Sequence, residues 1–470
     1  MTPWLRMRLP LDGLGLGRSD ALALRRWGRA RLRDRLRRRG RAGWLLAGLL
    51  PLLSPLLWAV AVPVLVAGFL RRRSLLSPLP GPQAARLLAD CWASGADPLE
   101  CWLWRHWFSE HSLSEHPHHP LPGRAAALVL PYLGAAADHQ TLRDKQAMAD
   151  RLAAAGVPVP PTLGLLSGGV LSGGLLSAGL LPAGHPADPA ALPPVLRAEG
   201  PARLFVKPRH GSGGVAAWPL DRLGPGLVRL NGRPPAPAAE ALGRLSARLG
   251  DDLLIQPRLT AAPDLAALCA AGPEGEGPED GAPENGALPV LRLTTARLPG
   301  QAPWLHSALL CLPVPGQPPR SFLRGHLYVP VDLGRSPGAD QSIHRVVPPG
   351  IQPVMNTLIH TVIPGGPASG TLLPGLLLGQ PQQRLQQVPW NGQPLAGRPL
   401  PHLEAAASAA LRAMALLPGL PLVNWDIALT ADGPLVLDGN TCGNWILTAL
   451  PPPGADTLLP LLLRWASAQA

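Results

Sequence analysis

Short apolar runs bounded by turn residues predict strands at Leu204–Lys207, Leu253–Gln256 and Val290–Thr295, and a pair of strands within Leu422–Leu437. The pair flanks Asp432-Gly433, a strong hairpin signal. With Ala431-Asp432-Gly433 as a three-residue loop, Thr430 faces Pro434 and Asp426 falls opposite Asp438. Asn440 then shares their face by the two-residue period of a strand. Helix is expected through the Trp-rich region 74–140, in the stretch opened by Asp144-Lys145-Gln146, and over 451–470. Three segments break the pattern. Residues 163–190 hold a degenerate Leu/Ser/Gly repeat, 273–286 are acidic and rich in Pro and Gly, and 364–392 are rich in Pro, Gly and Gln. Each reads as a low-complexity insert in a body spanning 141–450.

The first 73 residues follow another pattern. Arg25 to Arg41 is a dense arginine run, and the 27 residues from Trp44 to Leu70 carry no charge before Arg71-Arg72-Arg73. Sixteen arginines and three aspartates give this arm +13 of the chain's net +12, so the rest stands near −1. The uncharged run is long enough for a bilayer, which takes about 20 apolar residues. Pro51, Pro55 and Pro63 favour a bent insertion over a straight span. The positive-inside rule keeps the arginines in the cytoplasm. A single span would then export the rest of the chain, so for a body that works in the cytoplasm a shallow hairpin or interfacial anchor at the inner face of the membrane is expected, through residues 25–73. A buried helical segment of a soluble protein is the alternative. Nucleic-acid binding ranks below both, because Trp27 is the one aromatic among the arginines.

Five cysteines without a CxxC spacing argue against a disulfide framework or a zinc site and for a reducing compartment. His106, His111, His116, His118 and His119 crowd a Ser/Pro-containing stretch, where irregular spacing fits a solvated loop better than a metal site.

Lysine usage narrows the chemistry. Of 42 basic residues only Lys145 and Lys207 are lysine, which fits positions where a compact ammonium does what a planar guanidinium cannot, although on composition alone chance survival of two surface lysines explains it equally well. Lys207 ends a strand and precedes Pro208-Arg209-His210-Gly211-Ser212-Gly213-Gly214, a glycine loop able to lie over phosphates, although a tight turn explains the loop equally well. No Gly-x-x-x-x-Gly-Lys-Ser/Thr element exists, so this is not a P-loop. Asp426 and Asp438, facing across a ladder, repel unless a cation sits between them. With the Asn440 amide oxygen they form a hard ligand set suited to Mg²⁺.

In this order the motifs resemble the ATP-grasp superfamily, whose members include D-alanine–D-alanine ligase and glutathione synthetase, and most of all its sugar-transfer-associated family. The resemblance covers roughly residues 140–446 and rests on Asp144-Lys145, Val206-Lys207-Pro208 with Gly211-Ser212-Gly213-Gly214, Leu254-Ile255-Gln256-Pro257-Arg258-Leu259, Leu291-Arg292-Leu293-Thr294-Thr295, Pro394–Pro401, and Asn424-Trp425-Asp426 through Asp438-Gly439-Asn440. It implies an α+β fold of two lobes gripping ATP. Lys145 and Lys207 would contact the nucleotide, with Gly211, Ser212, Gly213 and Gly214 over its phosphates and Gln256, Pro257, Arg258 and Leu259 along adenine. Asp426, Asp438 and Asn440 would hold Mg²⁺, and Arg292 would meet γ-phosphate or acyl-phosphate charge. Two positions depart from the pattern: Asp438 stands where glutamate is usual, and Asn424 where some ligases have arginine. The implied reaction activates a carboxylate as its acyl-phosphate for attack by an amine or similar nucleophile, with a cell-surface saccharide or its precursor as substrate. A nucleotide-binding regulator or scaffold that has lost catalysis is the second reading, and a membrane-anchored structural protein the third.

Overall fold

The computed structural model describes residues 19–49, 63–64, 66–67, 85, 88–89, 129–167, 170–172, 194–199, 202–210, 217–249, 252–270, 288–315, 326–333, 371–372, 376–377, 385–441 and 459–468. The fold is α+β, with two antiparallel sheets and helices packed on each. Strands are β1 (Gly164–Ser167), β2 (Val170–Ser172), β3 (Ala202–Pro208), β4 (Trp218–Gly224), β5 (Leu227–Leu230), β6 (Ala236–Pro237), β7 (Leu253–Pro257), β8 (Val290–Ala296), β9 (Trp304–Pro313), β10 (His326–Pro330), β11 (Leu376–Leu377), β12 (Leu422–Thr430) and β13 (Gly433–Asn440). The first sheet runs β2-β1-β7-β3-β4-β5-β6 and the second β11-β10-β9-β8-β12-β13.

The helices are α1 (Ser19–Arg37), α2 (41–49), α3 (Ala136–Arg143), α4 (Lys145–Ala154), α5 (Ala238–Leu249), α6 (Pro263–Cys269), α7 (Leu403–Ala415) and α8 (Leu459–Ala468). Along α5 the spacing Ala238, Leu242, Leu245 makes one apolar stripe, buried with Leu204, Val206, Leu253 and Ile255 from β3 and β7. The opposite face of the same strands carries Phe205 and Lys207, aligned with Gln256 and Leu254. In the second sheet, Leu291, Leu293, Leu310, Trp425 and Ile427 join the core that contains Ala406, Ala409, Ala410 and Ala413 of α7. Small residues there let the helix approach the sheet closely. Arg292, Thr294, Asn424 and Asp426 alternate with those core residues and so lie on the other face.

A third cluster ties the chain ends together. Leu461, Leu462 and Trp465 of α8 pack with Val129, Leu130, Leu133 and Leu422, and Trp27 of α1 packs against them. Trp465 Nε1 donates to the Arg297 carbonyl at 2.6 Å.

Two expectations change. Residues 164–167 and 170–172, expected within a low-complexity insert, form a hairpin on the edge of β7. Leu166 enters the core at 3% exposure, so the leucines of the repeat act as strand residues. Parts of 364–392 are likewise anchored: Leu372 and Val388 are buried, and Trp390 Nε1 donates to the Leu268 carbonyl. Residues 273–286, Gly211 to Gly214, the histidines from His106 to His119, Trp92 to Trp107 and most of 44–70 lie outside the described residues. Among the described residues, no helix is long and apolar enough to cross a membrane.

Candidate functional site

Two lysines and one hairpin meet where the sheets face each other. Lys207 stands at the end of β3 on the face that carries Gln256. Lys145 opens α4, whose first turn is capped by Asp144: its Oδ1 accepts from the backbone N–H groups of Gln146 and Ala147. Arg209, two residues beyond Lys207, locks the two lysine-bearing segments together. Its Nε and Nη2 donate to Asp144 at 2.8 and 2.7 Å, and its carbonyl accepts from the Lys145 backbone N–H at 3.0 Å. The guanidinium holds the Asp144 carboxyl below the ordinary carboxylate range.

Opposite them is the β12–β13 hairpin. Asp426 pairs with Asp438 and Asn424 with Asn440, the expected register, but reached by another route. The loop is shorter than expected, with Thr430 paired to Gly433, whose φ of 122° suits glycine. A β-bulge then restores the offset, because Ile427 pairs with Val436 while Asp426 pairs with Asp438. The extra residue is Leu437, and its carbonyl accepts from Lys207 Nζ at 3.1 Å. The bulge thus aims a backbone oxygen at the lysine of the other sheet. Between Asp438 and Asn440, Gly439 leaves no room for a side chain: a Cβ there would lie 2.8 Å from both Leu142 and Trp425.

Lys145 Nζ lies 3.9 Å from Asp438 Oδ2. Burial lowers the Lys207 pKa to about 8, with Lys145 acting in the same direction and Asp438 and Asp426 opposing. Burial raises the Asp438 carboxyl above its ordinary range, against the pull of Lys145 and Lys207. Each group is poised toward its neutral form, as expected of a site whose charge is completed from outside.

Arg292 is placed by the ladder directly across from Asp426. Its Nε donates to Asp426 Oδ1 at 2.8 Å and its Nη2 to Oδ2 at 2.9 Å, a bidentate pair with the arginine 5% exposed. Asn440 Nδ2 donates to the same Oδ2 at 3.2 Å.

The structure therefore brings together Lys145, Lys207, Arg292, Asp426, Asp438 and Asn440. Gln256 is buried on the Lys207 face, its Nε2 3.5 Å from the Pro160 carbonyl oxygen. Pro257 pairs with Leu204, and Leu259 is half-buried. Arg258 reaches across β3, donating from Nη2 to Asp221 at 2.6 Å. Sequence reasoning missed Arg209 as the tie between the lysines and Leu437 as the oxygen facing Lys207. The position of Arg209, two residues after one lysine motif, was the only available signal.

The chain is similar in structure to the biotin carboxylase domain of Hydrogenobacter thermophilus 2-oxoglutarate carboxylase, solved with MgADP, ADP and bicarbonate, at 12% identity and a TM-score of 0.36, covering 71% of this chain and 47% of that one. It is similar to Coxiella burnetii D-alanine–D-alanine ligase at 14% identity and a TM-score of 0.32, covering 73% and 64%. For the ATP-grasp ligase PsnB, complexed with its minimal precursor, the identity is 13%, the TM-score 0.32, and the coverage 74% and 68%. The chain thus spans less than two thirds of the length of the first two. No protein-family model matches the sequence, and no curated protein matches it.

Proposed function

We propose that this protein is an ATP- and Mg²⁺-dependent ligase of the ATP-grasp type, activating a carboxylate for attack by an amine or similar nucleophile. The observation that carries the reading is the convergence of Lys207 and Lys145, from separate elements, on the Asp438 hairpin. Two ammoniums beside a carboxylate/amide face fit a polyphosphate chelating a hard cation. Asp438 supplies carboxylate oxygen and Asn440 an amide oxygen, both suited to Mg²⁺. The raised pKa of Asp438 supports the fit, since a buried carboxyl of this kind gains most from a cation.

When bound, Mg²⁺ would offset phosphate charge and orient the transferring group. Lys207 holds a positive charge where negative charge grows on phosphoryl oxygens, and its bond to Leu437 fixes the ammonium before the reaction begins. Lys145 holds Asp438 in register. Gln256, with the backbone of Pro257 to Leu259, forms the wall against which adenine stacks.

The same proposal places the protein at the inner face of a membrane. Trp44, Leu45, Leu46 and Leu49 on α2 are 58%, 69%, 56% and 47% exposed, beside exposed Arg35, Arg37, Arg38, Arg39 and Arg41. An apolar face next to an arginine cluster suits an anionic bilayer surface. A substrate built on a cell-surface saccharide would be met there.

The test is calorimetric titration of the full chain with a non-hydrolysable ATP analogue, with and without Mg²⁺. Binding that requires Mg²⁺ and is lost in Lys207→Ala supports the proposal. Failure of the folded wild type to bind overturns it. Sedimentation with phosphatidylserine vesicles tests the membrane surface, which is wrong if Trp44→Ser with Leu45→Ser leaves co-sedimentation unchanged.

A further inference from the structure

Two carboxylates facing across a ladder could bridge a pair of cations, and two-ion sites in phosphoryl transfer hold their metals about 3.5–4 Å apart. Asp426 and Asp438 have that placement. One of them is already neutralised by the protein. Both Asp426 oxygens accept from the Arg292 guanidinium, and Oδ2 also accepts from Asn440. Arg292 is buried, and it sits opposite Asp426 because β8 pairs with β12, so the geometry belongs to the sheet and not to a mobile side chain. A guanidinium does not lose its proton in a protein. The positive charge beside Asp426 is therefore permanent.

The Asn440 amide adds a second constraint. With its NH₂ directed to Asp426, its oxygen is the atom left to face outward, two residues from Asp438 on the same strand face. Beside the Asp426 carboxylate, which Arg292 holds, the remaining oxygens of this face are those of Asp438 and Asn440.

We propose that Arg292 takes the place of a second cation, leaving a site for one divalent ion on Asp438 and Asn440. Asp426 is then a positioning residue, which orients the guanidinium and the Asn440 amide without ligating metal. This rests on the ATP- and Mg²⁺-dependent reading above. It makes the phosphate-facing positive charge partly a property of the chain, with Lys207, Lys145 and Arg292 fixed in place and one ion exchanging with solvent.

The experiment is Mn²⁺ electron paramagnetic resonance on the full chain with a non-hydrolysable ATP analogue. The wild type should bind one protein-associated Mn²⁺ with the spectrum of an isolated ion. Arg292→Met, with folding checked by circular dichroism, should bind two and show a spin-coupled pair. Because removing a buried charge can prevent folding, the aspartates give an independent test. Asp426→Asn should weaken Mn²⁺ binding by about 10–100-fold, as a change beyond the ligand shell does. Asp438→Asn, which removes a charged ligand, should weaken it by clearly more than Asp426→Asn does. A coupled pair in the wild type, a single ion in folded Arg292→Met, or equal losses in the two aspartate variants overturns the proposal while leaving the ATP-dependent reading standing. No Mn²⁺ held by the wild type in the presence of the analogue overturns both.

Discussion

The two sheets carry charge in opposite ways. The seven-stranded sheet brings a single lysine to the cleft, at a strand end, with apolar neighbours and the backbone carbonyl of Leu437 as its partner. The six-stranded sheet carries its charges in mid-strand, where Arg292 and Asp426 offset each other across a ladder. One sheet offers charge and the other is largely self-neutralised. Among the charged side chains at the site, burial disfavours the ionised form of Lys207 from the first sheet and of Asp438 from the second. They are the pair on which a polyphosphate with its cation would act most strongly.

The comparison breaks if neither of that pair matters. Lys207→Ala and Asp438→Ala should each abolish Mg²⁺-dependent ATP turnover, a loss of about 10²–10³ or more for a preorganised group at developing charge. The far-ultraviolet dichroism should stay native, since Lys207 lies on the face of β3 opposite its core side chains. Release of ADP, measured by a coupled assay with a panel of carboxylates and amines, is the readout. Unchanged turnover in both variants would remove the site from this cleft.

A smaller effect follows from pH. Lys207 in the folded chain titrates near pH 8, well below the ordinary lysine value. If Lys207 meets the nucleotide as proposed, affinity for the MgATP analogue should hold below pH 8 and fall by about tenfold per unit above it, until the complex's own pKa is reached. Stability moves the other way. Between pH 8 and the ordinary lysine value the unfolded chain keeps a proton that folded Lys207 has lost, so this group makes the folded state more stable as pH rises. In Lys207→Met both trends should vanish. An affinity profile flat from pH 7 to 9.5 in the wild type would show that the nucleotide does not meet Lys207.

Much of this contrast was legible before any fold was known. Lysine survives twice among 42 basic residues, and both survivors reach the site. The Asp426–Asp438 register was also recovered, though by two compensating differences: the loop is one residue shorter than expected and the bulge at Leu437 restores that residue. Periodicity cannot report a bulge, because it records which residues alternate and not where one is skipped. The role of Arg292 was hidden for another reason. Its partner is 134 residues away, and only the pairing of β8 with β12 brings them together. Strand β9 carries the apolar run Ala308 to Leu312, a strand signal in the sequence that the reading did not use. The leucines of β1 and β2 were disguised by a glycine-rich repeat whose composition points to a linker.

The tie between the lysine-bearing segments gives a more modest prediction. Asp144→Ala removes a helix N-cap and the carboxylate that receives Arg209, and should cost about 1–2 kcal/mol of stability. Because Arg209 depresses the Asp144 pKa, this contribution is present above the ordinary carboxylate range and is lost as pH falls through the folded value. Acid unfolding followed by tryptophan fluorescence should therefore separate wild type from variant near neutrality and bring them together toward pH 2. Asp144→Asn should recover the cap and not the ion pair. If Asp144→Asn and Asp144→Ala are equally destabilised, the pair with Arg209 is what matters and the cap contributes little.

The smallest effect is expected at Arg258, and it sharpens the contrast from the other side. Arg258 lies in the segment assigned to adenine, yet its Nη2 is engaged by Asp221 and its backbone N–H by the Arg203 carbonyl. Both anchors lie near residue 203, four residues along β3 from Lys207, or about 13 Å at the rise of a strand. An aromatic base along this wall meets backbone and the aliphatic stem, and a methionine preserves the stem. Arg258→Met should change affinity for the ATP analogue by less than about threefold and stability by less than about 1 kcal/mol, the range of a partly exposed ion pair. A loss approaching that of Lys207→Ala would mean that the first sheet offers two charges to the nucleotide, and that its contrast with the self-neutralised second sheet is weaker than the ladder geometry implies.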